Sequence, residues 1–374
     1  MIEESRRMYT EEELVRVAGR ENNSQRKYLV VNTLQGKHVP AAPKESLCMF
    51  GALADKLEKA YGTEELLLIG FAETATAIGA ALAVRLNSYY MQTTREDVEG
   101  AEYLFFTESH SHAREQRVVK TDLDQVMDKV QRVVFVEDEL TTGNTILKIV
   151  DLIRKNYPGK VRFAAVSLLN GMNREALGRY SSEGIGLQYL VKTDHSAYTA
   201  TAGQYKGDGL YFGPDFTIPA VEAEKIWADG WLDARRLLKG RDYQDACEKL
   251  WNQIRGSLED KKGQKILILG TEEFMYPAIF IGSRLEKCTV KTHSTTRSPI
   301  AVSMEKEYPL HSRFELASFY EKGRVTFIYN LESYDHVLIL TDSRKDIPEA
   351  EYCLIHALTR CGSRKITLVR WNKG

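Results

Sequence analysis

One stretch constrains the fold more than any other: Val133-Val134-Phe135-Val136-Glu137-Asp138-Glu139-Leu140-Thr141-Thr142-Gly143-Asn144-Thr145. Four apolar residues predict a buried strand, a run of carboxylates follows, and a Thr/Gly loop opens a helix. The segments around it have the same form. Leu47, Phe50, Leu53, Leu57 and Tyr61 stand at helical spacing, and residues 66–70 (LLLIG) form a short apolar run ending in glycine. The Ala-rich segment 74–86 suits a helix packed closely on a sheet, while 88–94 and 103–107 read as strands. A helix at 122–129, a strand at 132–137, a helix at 143–156 and a strand at 161–169 complete the series. Strands alternating with helices predict a doubly wound, mostly parallel α/β sheet. Ligands of such sheets sit beyond the carboxyl ends of the strands, near a topological switch point.

At such an end, Thr141 to Thr145 can wrap a phosphate with backbone N–H groups, threonine hydroxyls and the positive end of a helix. Gly143 lets the backbone approach where a Cβ would collide. Glu137 and Asp138 are acceptors suited to a pair of vicinal hydroxyls, or to a magnesium ion through water. Together these parts describe a site for a ribose 5-phosphate.

The stretch resembles the 5-phosphoribosyl-1-diphosphate (PRPP) signature of the type I phosphoribosyltransferases. That resemblance implies a type I phosphoribosyltransferase fold for the first sheet. It also implies a pyrophosphate-binding loop at Phe71-Ala72-Glu73-Thr74-Ala75-Thr76. Arg95, after the next strand, is suited to bidentate contact with the leaving pyrophosphate. The family carries a closing loop where this chain has Glu108-Ser109-His110-Ser111-His112-Ala113-Arg114; there His110, His112 and Arg114 would neutralise or protonate the diphosphate. In orotate-type members the segment corresponding to 22–40 builds a hood for the base, making Lys37 and His38 the residues expected to read the acceptor.

A narrower resemblance rests on the LQGKHVP turn, the ESHSHA loop and TTRSP. The chain resembles the orotate-phosphoribosyltransferase-like proteins of bacterial tellurium-resistance-associated gene clusters. Those carry a C-terminal domain named for its TRSP motif, here Thr296-Arg297-Ser298-Pro299. The resemblance spans residues 20–200 and 262–342, and it implies PRPP-dependent transfer in a nucleotide-like biosynthetic pathway.

The second half reads as a degenerate copy of the first, at an offset of roughly 200 residues. Leu67-Leu68-Ile69-Gly70 matches Leu267-Ile268-Leu269-Gly270, Thr93-Thr94-Arg95 matches Thr295-Thr296-Arg297, and 132–138 matches 336–342. The copy has Arg344-Lys345-Asp346-Ile347-Pro348-Glu349 where the first half has Leu140-Thr141-Thr142-Gly143-Asn144-Thr145, so ordinary PRPP binding is not expected there. Glu272, Glu273, Thr296, Arg297 and Ser298 are its candidates for another anionic ligand. The expected division is 1–195, a phosphoribosyltransferase domain; 196–260, a connector with two bridging helices within 219–258; and 261–374, a TRSP-type domain. Asp233, Arg235 and Arg236 read as a solvated face.

Composition narrows the function classes. A formal charge of −1 from 51 basic and 52 acidic residues leaves no electrostatic footprint for nucleic acid. No apolar run approaches about 18 residues and the N-terminus lacks an apolar core, so neither membrane nor export is expected and a cytoplasmic location is. Cys48, Cys247, Cys288, Cys353 and Cys361 form no CxxC pair and read as small apolar residues. The reading is an Mg2+-dependent phosphoribosyltransferase acting on PRPP and a nitrogenous small-molecule acceptor, with a homodimer expected. A PRPP-sensing regulator and a PRPP synthetase-like diphosphokinase stay open as alternatives.

Overall fold

The computed structural model describes residues 7–21, 26–106, 116–159, 161–258 and 262–373. The N-terminal part holds α1 (Glu11–Leu14), the antiparallel pair β1 (Val15–Gly19) and β2 (Tyr28–Asn32), and α2 (Pro43–Tyr61). Next come β3 (Leu66–Gly70), α3 (Thr76–Leu86), β4 (Tyr89–Gln92), β5 (Tyr103–Phe106), β6 (Gln116–Val119) and α4 (Lys120–Val126). They are followed by β7 (Arg132–Leu140), α5 (Asn144–Asn156), β8 (Arg162–Asn170), α6 (Arg174–Ser182) and β9 (Ile185–Lys192). The middle holds α7 (Tyr198–Gln204), β10 (Leu210–Phe212), β11 (Glu224–Asp229), β12 (Leu238–Lys239) and α8 (Gly240–Leu258). The rest is β13 (Lys265–Gly270), α9 (Tyr276–Arg284), β14 (Thr289–Ser294), β15 (Ser312–Ala317), β16 (Val325–Tyr329), β17 (His336–Thr341), α10 (Pro348–Arg360) and β18 (Ile366–Lys373).

These elements form two units. The first takes in residues through Glu11, Cys48–His195 and Leu232–Asp245; the second takes in Glu12–Leu47, Ser196–Trp231 and the chain from Ala246 onward. The first unit is built on a six-stranded sheet of order β12-β4-β3-β7-β8-β9, parallel except for β12. Every residue of β3 is buried, as a central strand covered on both faces requires. Glycine is needed where α3 crosses it: a Cβ at Gly70 would stand 2.8 Å from Tyr90 Oη, and one at Gly79 2.7 Å from the same ring. The segment 232–245 is anchored by Arg236, whose guanidinium forks onto Asp122 with two bonds of 2.8 Å, and by Leu237 N donating to Asp122 Oδ2. Arg235 is buried as well. The solvated face expected for Asp233, Arg235 and Arg236 is therefore an anchor, because a buried carboxylate on α4 meets it.

The second unit carries a five-stranded, fully parallel sheet of order β11-β18-β17-β13-β14. Taken from the other edge, β14-β13-β17-β18-β11 matches β4-β3-β7-β8-β9 position for position. Strands 265–270 and 336–341 thus stand where 66–70 and 132–140 stand. The repeat extends to single hydrogen bonds. Thr93 N donates to Gly70 O (2.9 Å) and Thr295 N to Gly270 O (3.1 Å). Thr93 Oγ1 accepts from Ala72 N (2.9 Å), and Thr295 Oγ1 accepts from Glu272 N (2.9 Å). Thr94 and Arg117 exchange backbone bonds, as Thr296 and Phe327 do. The fold is two doubly wound α/β sheets, the second a degenerate copy of the first.

Two features depart from the expected division. Residues 224–229 form β11, an edge strand in register with β18, where a bridging helix was expected; α8 is the one helix of that stretch. Pairing with β18 overrides the helical reading there, and Trp227 is 53% exposed. The β1–β2 pair belongs to the second unit, where Ala18 and Val31 pack with Ile300, Val302, Tyr308 and Tyr329. No helix of the described residues is long and apolar enough to cross a membrane.

His293 on β14 gives this unit a pH dependence. It is 1% exposed, its Nε2–H donates to Tyr329 O at 2.8 Å, and burial, with the charge of Lys37 adding to it, lowers its pKa to about 4. The unfolded chain takes up a proton near pH 6.5 and the folded one does not, so stability falls as pH drops from about 6.5 to about 4 and then levels. The full loss amounts to about 3 kcal/mol. Denaturant unfolding across this range should show the decline, and the imidazole NMR signal of His293 should remain that of the neutral ring at pH 5. A ring that titrates near 6.5 contradicts this assignment.

Candidate active site

In the first sheet β4 lies on one side of β3 and β7 on the other, so the chain reverses its direction of strand addition at β3. A crevice opens at that point, beyond the carboxyl ends of β3 and β7. Loop 71–75 forms one wall. It is pinned by Phe71 N donating to Val136 O (3.0 Å), by Ala72 N donating to Thr93 Oγ1, and by Gln116 Nε2 donating to Ala72 O (2.7 Å). Across the crevice Thr74 Oγ1 donates to Asp138 Oδ1 at 2.8 Å.

The other wall is β7 and the loop after it. The strand runs on to Leu140, further than its apolar run predicts, so consecutive carboxylates alternate between the faces of the sheet. Asp138 meets Thr74, while Glu139 Oε1 lies 3.3 Å from His195 Nε2. Glu137 lies near Tyr180, whose hydroxyl pKa is pushed well up by burial and then by that charge. Gly143 caps α5 with φ +68°, and a Cβ on it would stand 2.5 Å from the Tyr180 ring; glycine is required on both counts. Arg179 donates to Thr142 O (3.3 Å) and Tyr180 Oη to Gly143 O (3.1 Å). These bonds fasten the loop's carbonyls to α6, and the N-terminus of α5 follows directly.

The structure thus brings Ala72, Glu73 and Thr74 to one wall and Glu137, Asp138, Thr141, Thr142, Gly143, Asn144 and Thr145 to the other. Arg95 lies in the turn after β4, its carbonyl accepting from Arg117 Nη2 at 3.3 Å. His110, His112 and Arg114 lie outside the described residues. Four residues that shape the site went unnamed in the sequence: Gln116, Arg179, Tyr180 and His195. None stands in a motif, and His195 is the last residue of the expected first domain.

Lys37 and His38 belong to the second unit, and both are buried there. The Lys37 ammonium is 0% exposed and donates to Glu272 O (2.8 Å), Thr295 O (2.9 Å) and Ser294 Oγ (3.3 Å). Its three hydrogens are directed at loop oxygens, which fastens the 12–47 segment and corrects the expectation that this side chain reads an acceptor. At the second switch point the candidates meet one another. Arg297 Nη2 pairs with Glu273 Oε1 (3.0 Å) and Arg324 Nη1 with Glu272 Oε2 (3.1 Å), while Ser318 Oγ donates to Glu272 Oε1 (2.5 Å). Thr296 Oγ1 accepts from Ser298 N at 3.2 Å, a local turn bond. Asp342, the counterpart of Asp138, accepts from Tyr320 Oη at 2.6 Å.

Glu272 is 1% exposed, so Glu272→Ala strips a carboxylate from two guanidiniums in a nearly dry setting. A fully buried pair costs about 3–5 kcal/mol to break this way, and about 2–3 kcal/mol is expected here because Glu273 and Glu321 still face the two arginines. Urea unfolding of the variant should show a lower midpoint, and a midpoint equal to wild type removes the network's stabilising role.

Residues 14–195 match the family described as "Phosphoribosyl transferase", and residues 237–358 match the TRSP domain described as C-terminal to it. A search of curated proteins finds no match to the chain. Among solved structures, the chain is similar to adenine phosphoribosyltransferase from Thermoanaerobacter pseudethanolicus, with 22% identity over 48% of this chain and 96% of that one, at a TM-score of 0.34. Similarity also extends to the Giardia lamblia enzyme complexed with 9-deazaadenine (14% identity, 49% and 95% coverage, TM-score 0.36). For orotate phosphoribosyltransferase from Aeropyrum pernix the values are 16% identity, 44% and 78% coverage, and a TM-score of 0.27. Residues 14–195 thus carry a domain of the phosphoribosyl transferase family, followed at 237–358 by a TRSP domain.

Proposed function

We propose that the first unit transfers the 5-phosphoribosyl group of PRPP to a ring nitrogen of a small acceptor and releases pyrophosphate. The switch-point crevice carries this reading, with a hydroxyl–carboxylate pair on its walls and an anion cradle at its end. Thr141 to Thr145 would take the 5-phosphate, Asp138 and Glu137 the ribose hydroxyls, and Ala72 to Thr74 with Arg95 the diphosphate. The transition state resembles an oxocarbenium ion parting from an anion, so stabilising charge is the main task of the site.

Half-exposed carboxylates at the end of β7 are hard oxygen donors of the kind Mg2+ takes alongside substrate phosphates, so Glu137 and Asp138 fit that ion. Bound Mg2+ would supply positive charge for the diphosphate. The loop after β17 is built differently: Arg370 and Asn372 hold its carbonyls and Pro348 opens α10 without an amide donor, which supports one PRPP per chain.

The full chain with PRPP, Mg2+ and a panel of bases should release pyrophosphate, and Asp138→Asn should lower that release by about 100-fold or more. Unchanged release in the variant sinks the assignment. Tight PRPP binding by the wild type, with no turnover on any base, favours a PRPP-binding regulator instead.

A further inference from the structure

Transfer to an N–H acceptor needs a group that phosphate and ribose contacts do not supply, a base for the proton the nitrogen loses. In the first unit a histidine and a carboxylate meet at the carboxyl ends of β7, β8 and β9, the side of the sheet where ligands bind. His195 Nε2 lies 2.8 Å from Thr193 Oγ1 and 3.3 Å from Glu139 Oε1, and both His195 and Glu139 expose only about a tenth of their side chains. The imidazole rests on Gly171, where a Cβ would come within 2.3 Å of it, so a glycine at the end of β8 makes the slot. Glu139 stands two residues after Glu137 on β7 and shares its face, which sets the slot on the side of a carboxylate proposed for the ribose. At the same strand ends Asn170 is fully buried; its Oδ1 accepts from Met172 N at 2.9 Å, and its Nδ2 has no partner among the described residues. A buried donor of this kind suits a polar guest with a carbonyl or ring-nitrogen acceptor.

Resting on the proposed transfer, we propose that His195, oriented by Glu139 and Thr193, is the base that accepts the acceptor's proton. Thr193 Oγ1 lies within hydrogen-bond distance of Nε2, and the Glu139 carboxylate 3.3 Å away stabilises the ring once it has taken the proton. The acceptor nitrogen uses its electron pair to form the bond to C1. The C1–O bond to diphosphate breaks with its pair leaving on oxygen, and the N–H proton passes to His195. The acceptor class is a nitrogen heterocycle with an ionisable N–H next to a carbonyl or ring-nitrogen acceptor.

The test uses the full chain with PRPP, Mg2+ and adenine, guanine, hypoxanthine, uracil or orotate, measuring pyrophosphate release, with PRPP affinity followed by calorimetry. His195→Ala should keep PRPP affinity within about two-fold and lose about 100-fold or more in kcat, and free imidazole should restore part of the rate. His195→Gln, which can keep a donor toward Glu139 but has no basic nitrogen, should lose rate alike. Wild-type rate in either variant, or a loss in His195→Ala that imidazole does not restore, overturns the role of His195. A wild-type protein that releases no pyrophosphate with any of these bases overturns the transfer reading itself and this inference with it, so the two failures are told apart.

Discussion

The reversal of strand order at β3 is the constraint on which the first unit depends. Parallel strands added on both sides of β3 force their connecting helices to opposite faces, and the loops after β3 and β7 then part at the carboxyl edge. The Thr74–Asp138 hydrogen bond spans that gap. The residues with chemical capacity lie on the two loops, while the buried strands beneath fix where the loops begin. Thr93 shows the coupling well. Its hydroxyl holds the Ala72 amide and meets Gln116, so the turn after β4 sets the shape of the wall that starts at β3.

The second unit isolates what backbone contributes and what side chains contribute. Thr295 repeats the bond that Thr93 makes, and the pairing of Thr296 with Phe327 repeats that of Thr94 with Arg117, so the same loop geometry stands at both switch points. Residues differ where chemistry would occur. Ala72 is replaced by Glu272, whose carboxylate lies among Arg324, Arg297 and Ser318. The Thr/Gly loop is replaced by one tied down by Arg370 and Asn372. Backbone bonding maintains the architecture, and the polar side chains of the copy have been turned upon one another.

The fold was legible in the sequence because both sheets are made of short apolar runs ending at Gly or acidic residues, and those runs recur at a near-constant offset. The Thr/Gly loop between β7 and α5 was legible because one continuous stretch carries it. What the sequence hid was pairing across distance. β11 is polar and helix-like in its spacing, and only its parallel register with β18 makes it a strand. Arg236 looks like surface until Asp122, more than a hundred positions earlier, comes against it. Lys37 looks like a ligand reader because it stands in a glycine turn, yet the oxygens it meets come from a loop far along the chain. His195 goes unnoticed for the same reason: β7 and β9 must be neighbours of β8 before it meets Glu139.

A site that is to take an anion must keep donors whose electrostatic demand is not already met inside the protein. In the second unit Arg297 and Arg324 pair with Glu273 and Glu272, Lys37 is directed at three oxygens, and Arg370 pairs with Glu351 at 2.7 Å. A guest phosphate would have to break pairs that are mostly buried, each break costing several kcal/mol, before gaining a contact. In the first unit the loops are tied through their carbonyls. Arg179 and Tyr180 bind the carbonyls of the loop 141–143, and Gln116 binds that of Ala72, so side chains occupy the acceptors of these loops. Both units tie loop carbonyls to side chains, so the difference lies in the charged residues: Arg297 and Arg324 of the second unit already face Glu273 and Glu272.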